Sequence, residues 1–597
     1  MRSRCAARDV ARCLLILMGC LAGLAGSQAL GRPSARISHD LQDRIAASRS
    51  GDLVDVIIQG EPGSSADMRR RVRLRAAAYG RDLHSIGGLA TTLPLSEVEG
   101  AASEPGVIGI SLDRPVASAM DVAAQAAGAG WTRNLSASAG GPTGRGVVVA
   151  VIDSGIAPHE DLSDDRLLAS IDFVDPTRAG GPQSSDPYGH GTHVAGTIAG
   201  RIVQTSLPDG GVLGGIAPDA SLVSLRVLDH RGQGKTSDVI AALDWCLLNQ
   251  SAYGIRVVNL SLGQPVAEPS TTDPLAIAVE RVWRAGIVVV AAAGNSGLVA
   301  GGYGAVSSPG NDPEVITVGA LDDFGTIDRR DDIVAGYSSR GPSRFDLLVK
   351  PDLAAPGTRI ISLRVAHSTL DRLLPDSRVD AGTQSRGAHS EPRYFEMSGT
   401  SMAAAVVSGA VALILEADPT LGPDDVKARL MRSADHHIEQ DIYTRGAGGI
   451  DVAAAIASTG SASASRTPTI TLDGTTVLLN GAGQAWGDPE QWSYEAIYGD
   501  PAFWGEEIPQ TLALLDDPCM TGEGISWQPL DGAGISWQPL VGEGISWQPI
   551  SSAGISWQPV GASGISWQPV NGNGISWQPI RGKGISWQPT WSDGTCP

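Results

Sequence analysis

Five short, nearly uninterrupted apolar runs limit what this 597-residue chain can fold into. Valine- and isoleucine-rich runs of this length are typical of parallel strands that are buried on both faces of a sheet. Helical patterns, among them DVIAALDWCLLN and PLAIAVERVWRAG, separate several of the runs. The pattern predicts an α/β domain with a doubly wound, mostly parallel sheet and helices on both faces. The runs are VVVAVID, LVSLRVL, IRVVNLSLG, IVVVAAAG and VITVGA.

Four polar motifs lie where the predicted strands end or the predicted helices begin. Asp153 directly follows the strand in VVVAVIDSGIAPHEDL, and Asn295 follows the strand in VVVAAAGNSG. His190 begins a helix of small residues in YGHGTHVAGTIAG, and Ser401 begins a long apolar helix in MSGTSMAAAVVSGAVALILEA. Since ligand sites in open α/β sheets lie at the carboxyl ends of the strands, we expect these four residues to share one site.

These residue types suit nucleophilic catalysis. A serine hydroxyl is a weak nucleophile, so Ser401 needs a base to take its proton, and His190 can be that base. Asp153 can fix the tautomer of the histidine. An oxyanion that forms on the substrate would accept hydrogen bonds from the Ser401 N–H, at a helix N-terminus, and from the Asn295 side chain. The motifs therefore predict an Asp-His-Ser triad with an oxyanion hole.

The motifs differ in how specific they are. Asp-Ser-Gly and Ala-Gly-Asn-Ser-Gly are ordinary turns or loops when they occur alone, whereas Gly-His-Gly-Thr-His-Val-Ala-Gly and Gly-Thr-Ser-Met-Ala are rare. The chain order Asp, His, Ser is that of subtilisin. Residues 145–459 resemble the subtilases, the subtilisin-like serine peptidases. The resemblance includes SLG at 261–263, YSSRGP at 337–342 and KPDLAAPG at 350–357.

The region before the nucleophile resembles one bacterial branch of that family. ISLRVAHSTLDRLLPDSRV, followed by YFEMSGTSMA, is similar to the AprX-type subtilases. Many subtilases have proline four residues after the nucleophile, where this chain has Ala405. That proline serves the start of the helix, so we expect little effect on the chemistry. The 358–393 segment is interpreted either as a restriction on access to the site or as an ordinary loop.

The resemblance implies a reaction and a set of substrate contacts. A subtilase hydrolyses peptide bonds through an acyl-enzyme and uses no cofactor for catalysis. Ser261, Leu262 and Gly263 would pair with an extended substrate by strand addition. Ser307 and Ser308 would lie near the floor of the specificity pocket.

Metal-binding residues are not identified by the sequence. His193 lies three residues after His190, a spacing that metal ligands can use, but no acidic third ligand follows, so packing is the preferred interpretation. Structural calcium is common among subtilases, and its ligands cannot be assigned here; DDFGTIDRRDD is interpreted as a solvated loop. Cys246 continues the apolar stripe of a predicted helix and is interpreted as a buried free thiol.

The first 29 residues are typical of a secretory signal peptide. Arginines precede the apolar run LLILMGCLAGL, and small residues at Ser27 and Ala29 suit cleavage after Ala29. The run has about half of the ~20 residues that a spanning helix needs, which disfavours a membrane anchor. A lipoprotein signal with its anchor at Cys20 is the minor alternative, because Met18 is atypical there. We therefore expect a secreted protein without a spanning segment in its mature form.

The sequence divides into further segments after this signal. Residues 30–118 have the pattern of a small α+β domain, and the resemblance implies an inhibitory propeptide that is cut off autocatalytically near Arg114 to Met120. Residues 119–459 are the predicted peptidase domain. Residues 460–518 are a linker and accessory segment, with a predicted Asp-Gly hairpin in TITLDGTTVLL. Seven ten-residue repeats, each of which contains GISWQP, occupy most of 519–597.

The repeats predict β or irregular structure. In Gly-Ile-Ser-Trp-Gln-Pro, Ile and Trp are two residues apart, and so are Ser and Gln. Because side chains alternate between the two faces of a strand, Ile and Trp would lie on an apolar face and Ser and Gln on a polar face. The repeats are interpreted as a structural or spacer tail, as a surface for a cell-surface or glycan ligand, or as a disordered tail. Cys519 and Cys596 bracket them, and a disulfide between these two cysteines is our hypothesis.

Other functions remain open on the sequence alone. A binding or adhesion protein that uses the Trp-rich repeats, with an inactive protease scaffold, would usually have a broken triad, whereas this triad is complete. A processing protease of narrow specificity is not distinguished from a broad one. The net charge of −20 disfavours nucleic-acid binding, since phosphate contacts need lysine and arginine. The expected partners are protein or peptide substrates and the chain's own propeptide.

Overall fold

The structure is a computed structural model, and it describes most of the chain from 35 to 462 and several short strands beyond. The described residues are 35–48, 51–61, 66–119, 141–175, 185–205, 212–297, 303–326, 328–346, 348–380, 391–438, 440–460, 462, 471–472, 475–476, 527–530, 534–537, 556–559 and 565–568. Two compact units, Met1–Ile508 and Pro509–Pro597, are each described by themselves. The predicted signal peptide, with Cys20, and the predicted disulfide partners Cys519 and Cys596 lie outside the described residues.

A small α+β unit comes first in the described chain. Its elements are β1 (Arg36–Ile37), α1 (His39–Ala47), β2 (Leu53–Gly60), α2 (Ala66–Arg73), β3 (Ala78–Leu83), β4 (Gly88–Pro94), α3 (Val98–Ala102) and β5 (Val107–Leu112), followed by β6 (Pro115–Ser118). The sheet order is β1-β5-β2-β4-β3, with β1 parallel to β5 and the other pairs antiparallel. Leu41, Val56, Met68 and Ile110 are buried in its own apolar core.

One helix of this unit is shorter than its sequence predicts. The pattern ADMRRRVRLRAAAYG predicts a helix, but α2 ends at Arg73 and the edge strand β3 begins at Ala78. Pairing with β4 overrides the helix propensity of the alanines. Gly80 suits this pairing, since a Cβ there would lie 1.7 Å from the carbonyl oxygen of Ala90.

The larger domain is built on parallel strands. Its strands are β7 (Val148–Asp153), β8 (Leu167–Asp172), β9 (Val203–Gln204), β10 (Val212–Leu213), β11 (Ser221–Arg226), β12 (Gln233–Lys235), β13 (Ile255–Leu260), β14 (Leu262–Gly263), β15 (Val288–Ala292), β16 (Ile316–Asp322), β17 (Ile333–Val334), β18 (Leu353–Pro356), β19 (Ile360–Leu363), β20 (Arg378–Val379) and β21 (Tyr394–Met397). The main sheet has the order β17-β16-β15-β13-β7-β11-β8, and β18 also pairs with β16. Every pair is parallel except β16 with β17. The five apolar runs are β7, β11, β13, β15 and β16, so the predicted α/β fold is confirmed.

Helices cover both faces of this sheet. They are α4 (His190–Ala199), α5 (Thr236–Tyr253), α6 (Pro274–Arg284), α7 (Thr369–Leu373), α8 (Thr400–Ala417), α9 (Pro423–Arg432), α10 (Ile442–Arg445) and α11 (Val452–Ala457). Helices α4 and α8 pack against each other, as do α5 and α6. Among the described residues, α8 alone is long and apolar enough to cross a membrane, but 89% of it is buried in the protein. It is therefore a core helix.

Two smaller sheets border the site described below. Strand β6, which ends the N-terminal unit, is the middle strand of an antiparallel sheet with the order β12-β6-β14. Strands β19, β21 and β20 form a second antiparallel sheet around the segment before Ser401. Helix α7 lies in that segment, so 358–393 contains ordered structure and is more than a plain loop.

The C-terminal segments contain short hairpins. Strand β22 (Thr471–Leu472) pairs with β23 (Thr475–Thr476) around Asp-Gly, as predicted. Within the repeats, β24 (Trp527–Leu530) pairs with β25 (Gly534–Trp537), and β26 (Ser556–Pro559) with β27 (Ile565–Gln568), all antiparallel.

Candidate active site

Asp153 is the last residue of β7, in the interior of the main sheet, and it is fully buried. Its backbone carbonyl accepts hydrogen bonds from Val227 N and Leu228 N at 2.8 and 3.2 Å. Its Oδ1 accepts a hydrogen bond from Ser154 N at 2.7 Å. These contacts hold the carboxylate at the carboxyl end of its strand.

His190 is the first residue of α4 and follows Gly189, whose φ of 100° suits glycine. Its Nδ1 lies 2.8 Å from Asp153 Oδ1 and 3.0 Å from Asp153 Oδ2. The carboxylate therefore favours the tautomer with the proton on Nδ1 and leaves Nε2 able to accept one. Nε2 is buried and has no hydrogen-bond partner among the described residues.

A buried carboxylate that sequence analysis did not single out connects these two elements. Asp186 Oδ1 accepts hydrogen bonds from Ser154 Oγ at 2.8 Å and Gly189 N at 2.7 Å. Its Oδ2 accepts from Thr192 N and Thr192 Oγ1, both at 2.8 Å. Burial raises the pKa of Asp186, and these four donors oppose that effect. Asp186 ties the turn after β7 to the first turn of α4.

Ser401 lies in the first turn of α8 and is fully buried. Its Oγ lies 2.7 Å from Ala119 O and 2.9 Å from Ser261 O. Its N–H donates to Ala119 O over 3.2 Å. The hydroxyl makes no hydrogen bond to His190 in this arrangement, since Nε2 has no partner in the described part of the chain. The predicted nucleophile thus faces a peptide carbonyl of its own chain.

Asn295 follows β15 and presents an amide to the same region. Its Oδ1 accepts hydrogen bonds from Thr400 N at 3.0 Å and Thr400 Oγ1 at 2.9 Å. These two donors orient the amide and leave Nδ2 as a buried donor with no partner among the described residues. A free, oriented N–H of this kind suits an oxyanion.

The strand predicted to bind substrate is paired with the end of the N-terminal unit. Strand β14, which consists of Leu262 and Gly263, pairs with Ser118 and Ala117 of β6. Ala119 N donates to Ser261 O over 3.2 Å. Residues 115–119 therefore occupy the edge at which strand addition was predicted.

The two serines predicted at the pocket floor differ in their surroundings. A Cβ at Gly263 would lie 2.6 Å from Ser307 Oγ, and a Cβ at Gly294 would lie 3.0 Å from it. Ser307 is therefore beside β14. Ser308 is fully buried, and its hydroxyl donates to Asp273 at 2.7 Å.

A chain of buried hydrogen bonds supports Ser401 from the sheet. Ser261 Oγ donates to Ser401 O at 2.8 Å, and Asn259 Nδ2 donates to Ser261 Oγ at 2.9 Å. Ser408 Oγ donates to Asn259 Oδ1 at 2.9 Å. A single polar residue inside an apolar strand or helix gives no local signal of its partner, which is why sequence analysis missed Asn259 and Ser408.

His193 and Cys246 have structural surroundings. His193 Nε2 lies 3.1 and 3.0 Å from the carbonyl oxygens of Ile360 and Phe395, and burial lowers the pKa of this imidazole to about 3. The packing interpretation fits these contacts, and Cys246 is buried as predicted. No group of three or more histidine, cysteine or carboxylate side chains in the described residues is arranged to hold a metal ion. Calcium ligands are therefore not assigned to any of the described residues.

Comparison with known proteins agrees with this geometry. Residues 144–467 match the Subtilase family, Peptidase S8. The chain belongs to the subtilase family. Over 350 residues, this subtilase is 40% identical to serine protease AprX of Bacillus subtilis (strain 168), a match that covers 57% of the chain and 72% of the relative. It is 33% identical to subtilisin DY of Bacillus licheniformis over 53% of the chain and 93% of the relative.

A solved structure has a similar fold. Fervidolysin from Fervidobacterium pennivorans, a keratinolytic enzyme related to subtilisin, matches this subtilase with a TM-score of 0.50 and 21% identity. The match covers 71% of this chain and 63% of that one. This likeness shows the fold. The family match and the sequence relatives establish a subtilisin-like serine protease.

Proposed function

We propose that this subtilase is a secreted serine endopeptidase that cuts its own chain after Ala119 and thereby matures. One observation carries the proposal: Ala119 O lies 2.7 Å from Ser401 Oγ and 3.2 Å from Ser401 N. Holding a peptide carbonyl against the nucleophile by strand pairing lowers the entropic cost of attack. The cut lies within the predicted 114–120 window, one residue after the predicted boundary at 118.

Acylation uses the three predicted catalytic residues. Ser401 Oγ attacks the carbonyl carbon of Ala119 while His190 Nε2 takes the hydroxyl proton, and Asp153 stabilises the imidazolium. The oxyanion accepts hydrogen bonds from Ser401 N and from Asn295 Nδ2, the buried donor that has no other partner in the described structure. Loss of one such donor typically costs ~3 kcal/mol of transition-state stabilisation.

The cut itself ends acylation. The peptide bond between Ala119 and Met120 breaks as His190 gives its proton to the new amine, which leaves an ester between Ala119 and Ser401. In deacylation, His190 takes a proton from a water that attacks this ester, and it returns that proton to Ser401 Oγ as the ester bond breaks. The products are the Ala119 carboxylate and free Ser401. Protein and peptide substrates follow the same steps.

The N-terminal unit is proposed to stay bound as an inhibitor after the cut. Asp244 of α5 accepts hydrogen bonds from His84 N and Ser85 N at 2.6 and 2.7 Å. Arg114, close to the cut, donates to Glu268 at 2.9 Å, and this pair is buried. None of these contacts involves the bond after Ala119, so they persist when that bond is broken and keep β6 at the active site.

Export through the predicted signal peptide is part of the proposal, with lipid anchoring at Cys20 as its alternative. The repeats are proposed as a structural tail or as a surface for a cell-surface or glycan ligand. The intact mass of the uncleaved Ser401→Ala protein separates loss of the signal from a lipid at Cys20, and the mass of the mature wild type shows whether the repeats stay attached.

The test is the non-reduced intact mass of the secreted protein beside a Ser401→Ala variant. We expect the wild type to begin at Met120 and the variant to retain the N-terminal unit. Ser433→Ala is a matched control, since this half-exposed hydroxyl of the same domain contacts only backbone carbonyls. It should mature like the wild type.

If wild type and Ser401→Ala both keep the N-terminal unit, or both lose it, self-cleavage is refuted. A binding protein with an inactive scaffold would then account better for the chain.

A further inference from the structure

The peptidase domain also holds the chain well upstream of the cut, at Arg114. This residue lies five positions before Ala119 and directly precedes β6. Its carbonyl oxygen accepts a hydrogen bond from Thr236 N at 2.9 Å, and Thr236 Oγ1 lies 3.0 Å from the same oxygen. Thr236 directly follows β12, the strand that pairs with residues 115–117. The backbone contacts along β6 therefore continue as far as Arg114.

The side chain of Arg114 is buried against a glutamate of the peptidase domain. Arg114 is 8% exposed and Glu268 is 3% exposed, and Arg114 Nη1 donates to Glu268 Oε1 at 2.9 Å. Glu268 belongs to the segment between β14 and α6, and the fully buried Asp273 directly precedes α6. Burial raises the pKa of Asp273, the charge of Glu268 adds to this effect and the charge of Arg114 opposes it. The guanidinium therefore lies within electrostatic reach of two carboxylates.

The remaining ionic partners of this pair belong to the N-terminal unit. Arg114 Nε and Nη2 donate to Asp40 at 2.8 and 3.1 Å, and Arg36 donates to Glu268 Oε2. Asp40 and Arg36 would leave with the N-terminal unit, whereas Glu268 stays in the peptidase domain. Among the described residues of that domain, no lysine or arginine forms an ion pair with Glu268. The mature enzyme would therefore have an unpaired carboxylate at the position that Arg114 occupies here, which favours a cation.

We propose that Thr236 and Glu268 form a distal subsite in the mature enzyme, which takes an arginine five residues before the residue whose carbonyl is attacked. The inference deepens the proposed function and rests on it, because it treats residues 114–119 as a bound substrate. The substrate class is an extended peptide with a basic side chain at that position. Arginine suits the subsite better than lysine, because its planar guanidinium offers several donors in a fixed arrangement.

The expected size of the effect follows from burial of the ion pair. A pair on the surface changes affinity by no more than about fivefold, whereas loss of one partner from a buried, hydrogen-bonded pair has a larger effect. The Arg114–Glu268 pair is buried here, but a peptide lacks Arg36 and Asp40 and covers Glu268 less completely. We therefore expect the arginine to raise kcat/KM about five- to tenfold.

The first test compares two peptides on the mature wild-type enzyme. One peptide copies residues 113–122 of the chain, with a fluorophore and a quencher at its ends, and the other has citrulline in place of Arg114. Citrulline has nearly the shape of arginine without its charge, so the comparison removes the charge alone. The arginine peptide should have the higher kcat/KM by the factor given above. Equal values for the two peptides would overturn the inference.

A second pair of peptides tests whether the position of the arginine matters. The net charge of the chain is −20, and an acidic protein can attract a cationic peptide whatever the position of its charge. Both control peptides have citrulline at position 114, and they have either arginine or citrulline at position 117. Ala117 is exposed in β6, so these two peptides should differ by less than about twofold. Equal gains at the two positions would show general attraction and would overturn the distal subsite.

The third test assigns the effect to Glu268. In Glu268→Gln, the kcat/KM ratio of the arginine and citrulline peptides at position 114 should fall to within about twofold of one, since the amide carries no charge. Glu160→Gln is the matched control, because it removes the charge of an exposed glutamate that pairs with Arg393, and it should keep the wild-type ratio. A wild-type ratio in Glu268→Gln would refute the distal subsite.

The tests remain decisive if Glu268→Gln does not mature. Glu268→Asp keeps a charge opposite Arg114 in the uncut chain but shortens the side chain, so its ratio should lie between one and the wild-type value. The wild-type comparisons at positions 114 and 117 need no variant. Failure of the proposed function is distinguishable, because the wild type would then fail to mature or would cut none of the peptides. A mature enzyme that cuts both position-114 peptides equally well refutes the distal subsite alone.

Discussion

Asp186 and Asp441 each accept hydrogen bonds from the first turn of a helix. Asp441 directly precedes α10 and accepts from Tyr443 N at 2.9 Å, Thr444 Oγ1 at 2.7 Å and Tyr303 Oη at 2.7 Å. Helix α10 carries none of the proposed site residues, whereas the helix that Asp186 contacts begins with His190. Comparing the two aspartates therefore separates the stability of a helix from the position of the catalytic base.

We expect Asp186→Asn to lower kcat by about 10- to 100-fold with little change in KM, because an amide replaces one acceptor oxygen with a donor that faces other donors. Rotation of the amide away from these donors would move His190 relative to Asp153. Asp441→Asn should lower the unfolding temperature and leave kcat near the wild-type value. Steady-state kinetics on a peptide substrate and thermal unfolding check both variants. Equal losses of stability with kcat unchanged in both would show that Asp186 has a structural role alone.

At the scale of secondary structure, the sequence predicts the parts whose signal is local. The five apolar runs are sheet strands, and Asp153 and Asn295 lie at strand ends as the pattern requires. Contacts between distant segments give no such signal. The pairing of β3 with β4 and the hydrogen bond from Thr369 N to Pro187 O, at 3.0 Å, depend on tertiary packing that periodicity does not encode.

Helix α5 contacts the N-terminal unit at two places along its length. Ser237, in its first turn, donates to Asp113 through N at 3.0 Å and through Oγ at 2.7 Å. Asp244, near the middle of the same helix, accepts hydrogen bonds from two consecutive backbone N–H groups of the unit. The helix thus offers donors at its start and an acceptor in its middle, which fixes the direction of the bound unit.

We expect Asp244→Asn to weaken this inhibitor contact, because one of two acceptor oxygens is lost at a cost of about 1–3 kcal/mol. Self-cleavage should keep its rate, while the lag between cleavage and the appearance of peptidase activity should shorten. Gels report the cut, and a fluorogenic peptide reports the activity in the same sample. Asp328→Asn changes an exposed aspartate of the peptidase domain and should keep the wild-type lag. An unchanged lag in Asp244→Asn would mean that release is controlled elsewhere.

At the scale of the whole chain, the ten-residue period accounts for the pairing of the repeats. Trp527 is opposite Trp537 in one hairpin, and Trp557 is opposite Trp567 in the other. The two hairpins have the same register, because equivalent residues of neighbouring repeats are paired in both. A hairpin of two strands is marginal by itself, so further constraints on the repeats would add to their stability.

The predicted disulfide would be such a constraint. A bridge between Cys519 and Cys596 closes the whole array, and the chain-entropy relation gives about 4.5 kcal/mol for a loop of this length. After loss of the signal peptide three cysteines remain, and Cys246 is a buried free thiol whose pKa burial raises. Alkylation of the secreted protein in denaturant without reductant should therefore add one label, at Cys246, and a Cys246→Ala variant should add none. Three labels on the wild type would exclude the bridge, and reduction before alkylation verifies that all three thiols can react.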